Sequence, residues 1–383
     1  MQATLQPLLV DHHVHGVVDR PLDRAAFELL INEGGQPARP GDSHFDSPVG
    51  LAILTHCGPL LGLHGERSPE AYLQVRSLLG AETVNRRLIH AAGCAALLVD
   101  TGHRGSEVVG PTRMAALAGV PALTVSRIER VAEEAAAHAP GPQEWLDGLG
   151  RALADAAATS VGFKTIVAYR HGFDLDADVP GRDEVQQAAA GWFDGGPDRL
   201  DSPVLLRHVL HTALDAAAER RIPVQVHAGF GDTDLTLHRA DPSVFTPWVR
   251  EFGRRGVDLV FLHCYPYHRQ AAYLATVFPH VFFDVGCMFH YTGASAGTVL
   301  AEAMELAPWT KLLYSSDAFG LAEFVYLGAA LFRRALDRVL GGWVDAGDCP
   351  ADTAADIHAA VCSRNARRLY RLDLDPTQHE ENV

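Results

Sequence analysis

The stretch that decides the fold is PLLVDHHV, residues 7–14, together with His15, because an apolar run here stops abruptly on imidazoles. If the run is a β-strand, side chains alternate between its faces, so His13 and His15 share one face, Asp11 lies one step deeper on it, and His12 points the other way. Two imidazoles on one face suit a single cation. A hydrogen-bonded core pair is the alternative, and the three residues alone do not choose.

Seven further runs repeat the pattern: AALLVD (95–100), ALTVSRIE (122–129), VGFKTIVAY (161–169), PVQVHA (223–228), DLVFLHC (258–264), VFFDVG (281–286) and KLLYSSD (311–317). Between them lie stretches of helical period, among them 144–159, 203–220, 268–277, 295–306 and 320–340. Strand alternating with helix implies βαβ units and a parallel sheet. Eight such units predict an α/β protein, a (β/α)8 TIM barrel, as one domain over 1–383. The first crossover, of roughly 80 residues, is too long for one helix; residues 20–90 read as an inserted helical cap after strand 1, over the barrel mouth. The acidic tail after residue 371 reads as frayed.

Composition narrows the function. Of 383 residues, 48% are hydrophobic and 21% charged, enough for a large core. A formal charge of −15 without a lysine or arginine run argues against nucleic acid. The chain lacks an apolar stretch of about 20 residues, and its start, MQATLQPLLVDHH, lacks a basic leader and cleavage site, so no membrane contact and a cytoplasmic location are expected. Six cysteines without CxxC spacing suit free thiols. A homo-oligomer is left open. The 20 histidines are the unusual feature, imidazole being the commonest metal ligand.

In a barrel of this type the active site sits at the carboxyl ends of the strands. His227 ends QVHA and His263 ends FLHC, each directly after an apolar run. Asp317 ends LLYSSD, where it serves either as a ligand and base or as the N-cap of a helix starting near Gly320; we read it as ligand and base. Lys164, inside VGFKTIVAY, either pairs with a buried carboxylate or, with its ammonium form disfavoured by burial, takes up carbon dioxide to become a carbamate that bridges two cations. Residues just beyond strand ends are candidate substrate contacts: Tyr169, Arg170, Tyr265, Tyr267, His268 and Arg269. A forked guanidinium there suits a carboxylate-bearing small molecule. Asp232 and Asp234 in GFGDTD either meet a cationic group or shape a turn.

This order, D-x-H-x-H, then Lys, His, His and Asp on successive strands, resembles the amidohydrolase superfamily over the whole chain. The segments VGFKTIVAYR, VQVHAGFGDTD, FLHCYPYHRQAAYLATVFPHVFFD and LLYSSDAFGLAE are similar to a narrower group, metal-dependent hydrolases of the TIM-barrel fold related to the amidohydrolase-like half of nodulin and fungal glutamine-synthetase-like fusions. The resemblance implies two divalent ions, zinc by expectation: His13 and His15 on the first, His227 and His263 on the second, a carboxylated Lys164 bridging, and Asp317 on the first metal as base. Asp317, Lys164 and His263 then form the catalytic set.

The expected reaction is hydrolysis of an amide-type C–N bond, or a related ester or lactone, through a metal-bridging hydroxide. Two rivals stand beside it. One is a metal-dependent nonoxidative decarboxylase or isomerase on the same site. The other is a non-enzymatic module, the barrel half of a two-part protein.

Overall fold

The structure, a computed structural model, describes residues 7–374. The reading of the chain start and that of the tail beyond 374 fall outside the described residues. Seven parallel strands form one sheet in sequence order: β1 (Leu9–Val14), β2 (Cys94–Asp100), β3 (Ala122–Arg127), β4 (Gly162–Thr165), β5 (Val224–Ala228), β6 (Leu259–His263) and β7 (Val281–Phe283). Their runs are apolar because both faces are covered; all five residues of β5 and of β6 are buried. Helices such as Pro142–Thr159 and Pro203–Arg220 pack outside, the second opened by Pro203 and by Ser202, whose hydroxyl accepts from the Leu205 amide.

The eighth expected strand is not a regular one. Leu312 makes a parallel bridge to Phe283 of β7, and the Leu313 amide donates to the Phe283 carbonyl. On the other side, the His12 amide donates to Tyr314, the Asp317 amide to His13 and the His15 amide to Ala318. The segment therefore bonds to both β7 and β1, but its backbone turns left-handed at Asp317, φ 50°, which interrupts a ladder. Residues 161–169 also differ from a continuous strand. β4 stops at Thr165 because the Glu129 carboxylate accepts from the Thr165 hydroxyl (2.5 Å) and the Ile166 amide (3.0 Å), turning the chain into the short helix Val167–Arg170.

Between β1 and β2 run the helices Arg24–Ile31, Pro48–Ala52, Pro69–Leu79 and Ala81–Ala91, with a π-helical turn at Ile53–Cys57. They bring Glu33 to the carboxyl ends of the strands, where it shares a cavity with His15 and Asp317. At the other end, Val10, Leu98, Val125, Val260, Leu262, Phe282 and Leu313 form a separate apolar cluster, against which Ala366, Leu369 and Tyr370 pack. Each such large side chain, fully buried, contributes about 1.5–3 kcal/mol. This floor fixes the strands whose other ends carry the site.

Candidate metal centre

β1 delivers His13 and His15 to one face, as its alternation requires, and turns His12 away. The His13 Nδ1 lies 2.8 Å from Gln225 Oε1, and its Nε2 3.2 Å from Asp317 Oδ1. His15 Nε2 is 3.5 Å from the same oxygen, while its Nδ1 faces the Asp100 carbonyl at 3.2 Å. From β6, His263 places Nδ1 3.1 Å from Asp317 Oδ2. One carboxylate is therefore shared by three imidazoles from two strands.

The backbone is bent to achieve this. His263 and Cys264 have φ of 66° and 52°, like Asp317 in a region L-residues seldom occupy. The Asp284 carboxylate holds the turn by accepting the His263 amide at 2.5 Å. Asp317 is not a helix cap: the helix Ala322–Ala346 begins five residues later, behind Leu321, with no side-chain cap.

Charge at the site follows from burial. Desolvation pushes His13 down to about 3 and His263 to about 4, and His227 falls well below its ordinary value for the same reason. Burial pushes the Asp317 carboxyl up, but His263, His13 and His15 outweigh it and hold the group well below the usual range. Lys164 is 1% exposed, makes no hydrogen bond or ion pair among the described residues, and is lowered by burial to about 8.

The arrangement fits a cation. Buried His13 Nε2, His227 Nε2 and His263 Nδ1 have no hydrogen-bond partner, although two of them sit within 3.2 Å of a carboxylate. Such atoms are costly unless something binds them. Ligand atoms of His13, His263 and Asp317 all lie within 4.8 Å of one another, and so do those of His13, His15 and Asp100. His227 stands beside the first group, its ring 4.8 Å from that of His263, and belongs to neither.

Asp100 was not among the residues singled out from the sequence. It ends AALLVD in the manner that Asp317 ends LLYSSD, so the signal was present. Arg127 Nη2 donates to its Oδ2 at 2.5 Å, and that guanidinium with the neighbouring imidazoles keeps the acid ionised against its burial. Glu33 was missed as well, because nothing in a loop sequence says that it folds back over a barrel. The Tyr291 hydroxyl donates to its carboxylate at 2.8 Å.

A cavity of ≈ 250 Å³ opens on these groups, lined by His227, His263, Lys164 and Asp317 on one side and by Glu33, Asp232 and Asp234 on the other. Tyr169 and Arg170 line it too. The Tyr169 hydroxyl accepts the Asp232 amide at 3.2 Å, and Arg170 pairs with Glu133 at 2.8 Å. Tyr265 and His268 do not line it: they stack on each other at 5.8 Å, and His268 Nε2 meets Glu302 at 2.8 Å. Arg269 is bound to Glu302 and Glu305 at the exposed end of the helix His268–Val277. Asp232 shapes a turn by accepting the Asp234 amide at 2.9 Å.

Parallel strands whose carboxyl ends gather imidazoles, a carboxylate and a buried lysine around one cavity define an α/β protein with a candidate metal site. The profile of the family described as Amidohydrolase matches residues 81–372, and the chain belongs to that family. Protein fluG of Emericella nidulans is 33% identical over 241 residues, covering 59% of this chain and 27% of fluG, so the chain spans about a quarter of that relative's length. A Lactobacillus casei protein, provisionally classed as a metal-dependent hydrolase, superposes with a TM-score of 0.84 at 27% identity over 96% of both chains. A uronate isomerase from Thermotoga maritima gives 0.65 at 15% identity, over 95% of this chain and 94% of its own, a likeness of fold alone. No helix among the described residues is long and apolar enough to cross a membrane, and the six cysteines are buried and free.

Proposed function

We propose that this chain is a metal-dependent hydrolase that cleaves an amide-type C–N bond, or a related ester or lactone, in a small carboxylate-bearing molecule. The observation that carries the reading is that three buried ring nitrogens, of His13, His227 and His263, lack hydrogen-bond partners where His227, His263, Lys164 and Asp317 line one cavity. His13, His15 and Asp317 would hold one divalent ion, zinc by preference, and His227 and His263 would hold the second. Lys164, whose burial favours the free amine, would add to carbon dioxide, the N–C bond forming as a proton leaves, and the resulting carbamate would supply a further anionic ligand to the ions.

Bound divalent ions supply Lewis acidity, which polarises a carbonyl and makes water a stronger acid. The protein does the rest. Asp317, kept ionised by its imidazoles, takes the proton of the attacking water and passes it to the departing nitrogen. Arg170 and Tyr169, on the β4 side of the cavity, orient the substrate carboxylate.

The second reading, a nonoxidative decarboxylase or isomerase with one cation, is favoured by the group of His13, His263 and Asp317 being complete without Lys164. Elemental analysis separates the two, because two ions per chain support hydrolysis and one weakens it. A screen of metal-loaded protein against amides, N-acyl amino acids, lactones and aromatic acids then tests the reaction. Release of an amine supports the hydrolase; release of carbon dioxide from an aromatic acid, with no amide cleaved, sinks it.

A further inference from the structure

Beneath the candidate metal centre, one amide reads out which nitrogen of His13 is bare. Gln225, fully buried on β5, donates from Nε2 to the His12 main-chain carbonyl at 2.8 Å and to the Tyr370 hydroxyl at 2.8 Å. A carbonyl oxygen only accepts, so the amide cannot be turned the other way without setting oxygen against oxygen. Gln225 Oε1 is then the atom facing His13 Nδ1 at 2.8 Å, and it also only accepts. His13 therefore carries its proton on Nδ1. Its Nε2 is then the ring nitrogen left for a cation, and it faces the shared carboxylate of Asp317 at 3.2 Å.

The same logic runs on through Tyr370. Its oxygen receives one hydrogen from Gln225, so its own hydrogen goes to His12 Nδ1, 3.0 Å away, and His12 Nε2 donates to Asp284 at 2.8 Å. Asp284 in turn holds the His263 amide. The closing helix of the chain thus reaches two ligand-bearing strands through one chain of hydrogen bonds.

We propose that Gln225, braced by Tyr370, is a positioning residue that locks His13 in the tautomer presenting a bare Nε2 to a divalent cation. The inference rests on the metal-centre reading above, but its first test does not. In metal-free wild-type protein labelled at histidine nitrogen, long-range proton–nitrogen correlation shows a proton on His13 Nδ1, whether or not Nε2 also carries one; an Nδ1 without a proton overturns the proposal, whatever the metal content. The second test is competition of zinc against a chromophoric chelator. Gln225→Met, which keeps length and loses both amide functions, weakens zinc binding by about 10–100-fold, the loss expected when a ligand's outer partner is removed. Tyr370→Phe weakens it in the same direction by less, with His12 changing tautomer in the same spectrum. A folded Gln225→Met protein that binds zinc like the wild type overturns the proposal, and if that variant does not fold the wild-type spectrum still decides. A wild-type chain that binds no zinc sinks the metal centre instead, and leaves the tautomer to the first test.

Discussion

His12 and His13 are neighbours on one strand, both fully buried, and their surroundings differ in kind. His12 faces the floor of the sheet, where both ring nitrogens have partners, Tyr370 at 3.0 Å and Asp284 at 2.8 Å. His13 faces the mouth, where one nitrogen is bonded to Gln225 and the other has none. Buried polar groups in folded proteins are almost always satisfied, so the floor is ordinary and the mouth is not. The same chain builds complete hydrogen-bond networks one residue away. Other buried polar atoms among the described residues lack partners too, His290 among them, but only at His13, His227 and His263 do such nitrogens gather beside the Asp317 carboxylate, and that gathering marks where a ligand belongs.

The sharpest way to break the contrast is at Asp317. Asp317→Ala removes the proposed base and one ligand of the first ion and leaves His13, His15 and His263, so turnover on the substrate found by screening falls by about 10²–10⁴-fold and metal content falls with it. Measured kcat beside elemental analysis checks both halves, and a fully active variant refutes the assignment.

At the floor the expected effect is on folding. Asp284 satisfies His12, the Ser315 hydroxyl (2.7 Å) and the strained His263 amide together. Asp284→Ala leaves all three unpaired in the core and costs about 3–5 kcal/mol, the usual price of breaking a buried pair. Urea denaturation of the chelated protein shows it as a lowered midpoint. A midpoint close to wild type would mean that the floor network is dispensable and that the contrast with the mouth is not one of satisfied against unsatisfied groups.

Lys164 sharpens the comparison from the side. It resembles the mouth histidines in being buried without a partner, which the carbamate reading explains. Lys164→Met reduces metal content from two ions per chain to one, and native mass spectrometry of the wild type shows a carbon dioxide adduct that the variant lacks. One ion in both proteins favours the single-cation reading.

How much of this was legible depended on period and position. The seven strands and the helices Pro203–Arg220 and His268–Val277 stood out because apolar residues recur at period two or 3.6. His13, His15, His263 and Asp317 were readable because each ends such a run. Asp100 carried the same signal and was passed over for want of a histidine beside it. Glu33 carried none, since its position depends on how a long crossover folds back. Tyr265 and His268 were drawn toward the cavity by their place after β6, but the helix His268–Val277 turns His268 to Glu302. Strand ends are written locally in the chain; loop directions are set by packing at long range.

The mouth and the floor also differ in their response to acid. In the chelated protein His13 and His263 have folded values near 3 and 4, below the ordinary 6.5 of an unfolded histidine. Between those limits the unfolded chain binds protons that the folded one excludes, so stability is full above pH 6.5 and declines as pH falls toward 4, by about 1.4 kcal/mol per unit for each such histidine. Thermal unfolding across pH 7.5 to 4.5 measures the slope. A slope of the opposite sign, with stability rising as pH falls through 6.5, would mean that the mouth imidazoles are already protonated, and ion-paired to Asp317, at neutral pH.

The smallest effect belongs to a residue the sequence placed near the substrate and the structure places outside the cavity. Tyr265 stacks on His268 with ring centroids 5.8 Å apart and planes within 3°, and its hydroxyl makes no hydrogen bond among the described residues. Tyr265→Phe keeps that stack and removes only the oxygen, so stability shifts by less than about 0.5 kcal/mol, with KM and zinc affinity unchanged. Tyr169 is the matched control, because its hydroxyl sits in the cavity wall and accepts the Asp232 amide. Tyr169→Phe raises KM where Tyr265→Phe does not, and the reverse result would move the substrate from the β4 side of the mouth to the loop after β6.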